Sequence, residues 1–453
     1  MNTKKLSLIF SLLVVMVLTF TACSQKTTPT ESLPSVQETE DEAGPTVPEK
    51  PNKLTFWMMK TFVDEGNLSM EAHVEEFEKA TGIEVDFEMI PIDDLATRWS
   101  AAIESGNTPD LSYMDYNNLG QFQAKGLLLD VTDTISEVQA KNGELTPALL
   151  NSMTYNGKLY GVPMWAEPTV LYYRTDLFEK AGIDNPPDTW EEFIEDAKLL
   201  TDPDNGVYGA GFGIGMNLTD TEWWVRDILW SQGASINAAD GKTATVTTPE
   251  FKEAAQWFVD FYTKHNITPP GVVGWDDSGN NKSYLSGQSA MIINTGSVYN
   301  AIFNTTDYPE LKENTKVAPV PGGPSGRFIT GICNGIGIFK NTQNPYWSKQ
   351  LMVWMMDKEW QREWMKFGGY LIVPAYPDLA EDPFWQTDAG RVFAEVPLYY
   401  AFIGYPGNFT PASGQIANTF VLTRNFMEVI VNDQPLEKML ENLQAEVTEM
   451  LNK

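Results

Sequence analysis

The stretch YNGKLYGVPMWAEPTVLYYRTDLFEKAGI, residues 155–183, restricts the fold more than any other part of the chain. Asn156 and Gly157 predict a tight β-turn, because both residue types accept positive φ at little cost. A short strand then runs into Pro163, followed by an aromatic and acidic loop (Trp165, Glu167, Pro168), an apolar strand over 169–173 and a helix. Two strands that meet head to tail around a proline read as a passage of the chain from one globular half to another.

A chain of 453 residues is about three typical domains long, enough for two halves with full cores. It carries 31 basic and 61 acidic side chains, a net charge of −30. Such a surface repels phosphate backbones, so no nucleic-acid partner is expected. The acidity is read as a source of solubility in preference to attraction for a cationic ligand. Cys23 and Cys333 are the only cysteines and His73 and His265 the only histidines, which leaves no disulfide scaffold, no metal site and no cofactor to expect. The glycine-rich run 206–215 lacks the lysine and hydroxyl residue of a phosphate-binding loop.

At the amino terminus, Lys4 and Lys5 precede an apolar run over 6–20 and small residues before Cys23. That is the layout of a secretory signal, 1–22, and the run is shorter than the roughly 20 residues a membrane-spanning helix needs. Residues 23–52, rich in Thr, Pro, Glu, Ser and Gln, cannot bury enough apolar surface to offset their ordering and are read as a disordered tether.

Beyond the tether, strands at Lys53–Met59, 83–90 and 108–116 alternate with helices, the pattern of a mostly parallel sheet flanked by helices. Ligands of such sheets gather beyond the carboxyl ends of the strands, which selects Trp57, Lys60, Asp115 and Tyr116. Thr189 with Glu192 forms a capping box at the start of an amphipathic helix. Trp223 and Trp224, adjacent on the next helix, point about 100° apart, so one of them is free to face away from the core. Cys333 lies within an apolar strand pair and is expected to be buried and inert.

The 155–183 stretch resembles the extracellular solute-binding proteins of ABC importers, in the branch that includes the maltose-binding protein. Tyr155, Gly157, Lys158, Tyr160, Gly161 and Pro163, then Tyr172, Tyr173, Asp176, Leu177, Phe178 and Gly182, match the family pattern in order and spacing. Weaker matches extend from residue 53 to 453: Gly126 to Thr132, Tyr284 with Gly287, Ala290 and Met291, and the P-x-P-G run within 317–339. The resemblance implies an α/β fold of two lobes, each a mostly parallel sheet flanked by helices, joined by a multi-strand hinge. The lobes are expected at 53–163 with 290–342, and at 164–289 with 343–453, the strand 290–295 being the second crossing. It also implies a lipobox, with Phe20 standing where the family prefers leucine and Cys23 as the lipidated first residue of the mature chain.

The implied function is capture of a carbohydrate between the lobes and delivery to membrane permease subunits, by a lipid-anchored monomer on the outer face of the cell membrane, without catalysis. Sugars present apolar C–H faces and polar edges, so their clefts need aromatic platforms and hydrogen-bonding side chains. The candidates are Trp57, Trp165, Trp223 or Trp224, Trp275 and Tyr370 for stacking. For polar contacts they are Lys60, Asp115, Glu167, Asp276, Asn294 and Arg327, with Tyr116 beside Asp115. Two alternatives stay open: a secreted carbohydrate-active enzyme working through paired carboxylates, and the same fold holding a non-sugar solute.

Overall fold

A computed structural model describes residues 47–453 apart from Phe62, Met216 and Asn217. The signal segment, Cys23 and most of the tether lie outside the described residues. The described strands, in chain order, are β1 (Lys53–Met59), β2 (Glu84–Ile90), β3 (Leu111–Asp115), β4 (Thr154–Tyr155), β5 (Lys158–Leu159), β6 (Gly161–Ala166), β7 (Thr169–Arg174), β8 (Tyr208–Ala210), β9 (Ser289–Thr295), β10 (Thr315–Ala318), β11 (Ile329–Thr330), β12 (Cys333–Ile338), β13 (Val373–Pro374) and β14 (Tyr400–Ala401).

They build two main sheets: a six-stranded one in the order β13-β6-β12-β3-β1-β2 and a four-stranded one in the order β10-β7-β9-β8. Strands β1, β2 and β3 run parallel, as the strand and helix alternation predicts. The Asn156-Gly157 turn joins β4 to β5 with φ of 50° and 75° at its two central residues. Strand β6 is buried along its whole length in the first sheet, and β7, two residues later, lies in the second. The passage read from the 155–183 stretch is therefore present but falls at 166–169, not at the expected 163/164, because β6 runs on past Pro163 to Ala166 in the first sheet.

The other boundaries move. Strand β9, expected to return the chain to the first half, pairs antiparallel with β7 from Thr169↔Thr295 to Tyr173↔Met291 and parallel with β8. Its apolar run suits either sheet; the register with β7 decides. The return comes later, between β10 in the second sheet and β12 in the first.

Residues from 343 also start in the first half. Helices Pro345–Met355 and Lys358–Gly368 pack on helix Asp64–Thr81. Trp354 Nε1 donates to the His73 carbonyl (2.9 Å), Trp360 Nε1 to Ser69 Oγ (3.2 Å) and Trp364 Nε1 to the Gly66 carbonyl (3.1 Å). The third passage follows β13, since helix Asp388–Glu395 packs on β7 and β10. Glu49 and Lys50, expected within the tether, are tied to the fold: Lys50 donates to the Thr81 carbonyl (2.8 Å) and the Glu49 carbonyl accepts from Trp347 Nε1 (3.1 Å).

Candidate functional site

A pocket opens on the second half, enclosing about 610 Å³ of empty space out to its mouth. Its floor is Thr169 of β7 with Ile293, Asn294 and Thr295 of β9; its walls are helix Thr219–Ser231, the loop at Trp275–Asp277 and strand β11. Helical periodicity brings Asp220, Trp223, Trp224 and Asp227 to one side of that helix, at spacings of three, four and seven residues.

The two adjacent tryptophans divide as their angular separation requires. Trp224 is 4% exposed, its ring packed on Phe212 and Phe258 (4.7 Å each) and Phe261 (4.9 Å), so it is mainly core. Trp223 is half-buried and borders the open pocket. Trp275, also half-buried, lies so close to Gly279 that a Cβ there would stand 2.6 Å from the tryptophan's own Cβ and 2.7 Å from its ring. Glycine is needed to let this ring settle against the wall.

The polar lining is mostly acidic. Asp227 Oδ1 accepts from the Thr330 N–H (2.6 Å) and hydroxyl (2.8 Å), and Asp220 Oδ2 accepts from Asn280 Nδ2 (2.8 Å). Burial pushes both carboxyls up to about 7; Asp277 adds to the rise at Asp220, while the Thr330 bonds hold against it at Asp227. Asp276 is held below the usual carboxylate range by Lys282 and Ser278. Asn294 donates from Nδ2 to Asn281 (2.6 Å) and accepts at Oδ1 from the Thr295 N–H (2.8 Å) and Ser297 hydroxyl (3.2 Å). Among the described residues no group of three or more His, Cys, Asp or Glu is arranged to hold a metal ion.

A second opening lies where the halves meet. Tyr116, Asn151 and Ser152 of the first half face Tyr400, Phe402 and Tyr405 of the second across a groove of about 810 Å³. The pocket and the groove share one ribbon: β11 lines the pocket, its parallel partner β14 lines the groove, and Ile329 is in register with Tyr400.

The structure thus gathers Trp223, Trp224, Trp275, Asp276 and Asn294 around the pocket and Tyr116 beside the groove. Seven other expected residues lie elsewhere. Trp57 sits within β1, not beyond it, under the Arg98 guanidinium at 5.5 Å. Lys60 is exposed, and its backbone N–H extends the sheet to the Ile90 carbonyl (2.8 Å). Asp115 caps helix Tyr116–Ala124, accepting from the Asn117 and Asn118 N–H groups (2.9 Å each). Trp165 is 1% exposed between Tyr113 and Trp364. Glu167 accepts from Asn334 Nδ2 (3.1 Å), and burial raises its pKa. Arg327 pairs with Asp188 and covers the Tyr399 ring. Tyr370 is buried among Phe384, Trp385 and Phe393, its hydroxyl 2.7 Å from Thr387 Oγ1.

Asp220, Asp227, Asp277, Asn280 and Thr330 escaped the sequence reading. A signal for the first two was present, because TDTEWWVRD places both carboxylates on the face that carries the tryptophans. Nothing in the sequence brings Thr330 to Asp227, 103 residues apart.

The family model described as bacterial extracellular solute-binding protein matches residues 64–362. A Brucella abortus binding protein is 29% identical over 66% of this chain and 72% of its own length. A Streptococcus pneumoniae maltooligosaccharide ABC transporter solute-binding lipoprotein is 25% identical over 61% of this chain and 62% of its own. The structure of the sugar-binding protein MalE from Xanthomonas citri superposes with a TM-score of 0.75 at 20% identity, covering 88% of this chain and 97% of that one.

Proposed function

Because the chain belongs to the bacterial extracellular solute-binding protein family, we propose that it captures a carbohydrate, an oligosaccharide in particular, and hands it to the permease of an ABC importer. Family membership makes it a binding protein and not an enzyme. The observation that carries the sugar reading is the pocket, which two partly buried tryptophans line together with carboxylates and amides. Aromatic faces suit the C–H surfaces of a pyranose ring, and the polar groups suit its hydroxyl rim.

The shared β11–β14 ribbon supports a ligand longer than one ring, with its first unit in the pocket and later units toward Tyr116 in the groove. The name of the Streptococcus pneumoniae relative points the same way. Trp223, Trp275, Asp276 and Asn294 are the contacts assigned to the first unit. Three backbone passages between the sheets suit a hinge, and closure over the ligand would be stabilised by contacts from both halves. A lipid on Cys23 would hold the protein on the outer face of the membrane.

Calorimetric titration with mono- and oligosaccharides tests this reading. Saturable binding of at least one oligosaccharide, lost in Trp223→Ala and Trp275→Ala, is expected. Binding that survives both substitutions would remove the pocket from the site, and a protein that binds no sugar would end the carbohydrate assignment.

A further inference from the structure

The charged lining of the tryptophan pocket has one sign. Asp220, Asp227, Asp276 and Asp277 border it, and among the described residues no lysine or arginine does. Lys282 bonds Asp276 (2.8 Å) and leaves the other three without a cationic side-chain partner within ion-pair distance among the described residues. Arg226, next to Asp227 in sequence, is committed to Glu222.

Asp227 is 4% exposed, and both of its hydrogen bonds fall on Oδ1. Its Oδ2 has no donor among the described residues, although the side chain borders the pocket. Asp220, which is only partly buried, has Oδ2 held by Asn280 and no donor to Oδ1 among the described residues. Neither oxygen is sealed in the interior without a partner; each is open to the pocket, and an occupant that covers it must supply a donor or leave it unpaired at a cost. The same pocket is lined by Trp223 and Trp275, whose π faces attract cations as well as C–H groups.

We propose that the captured solute is a carbohydrate bearing protonated amines, an amino sugar or an oligomer of one, with Asp227 and Asp220 each able to receive an ammonium group, since seven residues set them about 10 Å apart along the helix. This rests on the solute-binding reading above and narrows it. A neutral sugar can donate hydroxyl hydrogens to the same oxygens but leaves the acidic lining uncompensated. An ammonium supplies three donors and a charge at once.

The test compares ligands of one β-1,4-linked backbone and different charge: a chitosan oligosaccharide with free amines, its N-acetylated counterpart, and a cello-oligosaccharide of equal length. The amine form is expected to bind about tenfold tighter than either neutral form, the difference between a charged and an uncharged hydrogen bond. Its affinity should also fall with added salt. Asp220→Asn and Asp227→Asn keep the shape and an acceptor, and each should bring the amine-to-acetyl affinity ratio toward one. Asp277→Asn, at an exposed position, is the control against misfolding and should shift the ratio the same way by less. Equal or tighter binding of the neutral oligomers overturns the proposal and leaves sugar capture standing. Binding of spermidine or choline, with no response to any sugar, overturns both.

Discussion

Two clusters in this molecule have almost the same composition and opposite states. One lies where β3 ends and β6 passes toward β7: Tyr113, Asp115, Trp165 and Glu167, with Asn334 between them. The other is the pocket with Trp223, Trp275, Asp220 and Asp227. In the first, Tyr113 donates to Asn334 Oδ1 (2.6 Å), Asn334 donates to Glu167, and Asp115 is spent on capping a helix. In the second, two tryptophans stay partly open and two carboxylates each keep an oxygen without a donor among the described residues. Residue type marks both as candidate sites; unused hydrogen-bonding capacity and open aromatic surface single out one.

The comparison breaks most sharply at its tryptophans. Trp165→Ala removes a ring fully enclosed by Tyr113 and Trp364, and is expected to destabilise the fold by about 3–5 kcal/mol, as large core truncations do. Denaturant unfolding measures it. Trp275→Ala should cost well under half of that in the same measurement while abolishing sugar binding. If Trp165→Ala left stability unchanged and removed binding alone, the assignment of the two clusters would have to be exchanged.

The next effect belongs to the pocket carboxylates. With folded-state values of about 7 for Asp220 and Asp227, the native protein holds protons that the unfolded chain has already released near pH 4. Stability contributed by these groups therefore falls as pH rises from about 4 to about 7, then levels off. The full shift corresponds to on the order of 4 kcal/mol for each group. Charge repulsion across so acidic a protein has a pH dependence of its own, so the measurement is a difference: unfolding at pH 5 and pH 8 for the parent and for the Asp220→Asn, Asp227→Asn pair. The parent should lose more stability between the two pH values than the variant. A parallel loss in both proteins would show that burial does not raise these carboxyls.

Much of the fold was legible because it rests on local chemistry. The β-turn at Asn156-Gly157, the capping box of Thr189 and Glu192, and the burial of Cys333 (its thiol pushed up to about 12) are each set by a few neighbouring residues. Sheet membership was not legible. Strand β9 is apolar enough for either half, and only its pairing with β7, more than 100 residues earlier, places it. The site divided in the same way. The sequence pointed to tryptophans and acids, but whether a carboxylate is free or already bonded depends on partners such as Thr330, which only the folded chain supplies.

The smallest effect tests that last distinction at Asp115. As a cap it serves helix Tyr116–Ala124 through two backbone N–H groups, and an asparagine can accept the same bonds. Asp115→Asn should therefore be nearly neutral in stability, and Asp115→Ala should cost about 1 kcal/mol. Sugar affinity should stay within twofold of the parent in the asparagine variant, because the carboxylate's charge is not turned toward the pocket. A ligand contact would give the reverse order, with binding lost in Asp115→Asn and stability kept. That outcome would move the boundary of the site from the second half back across the groove to Tyr116 and its neighbours.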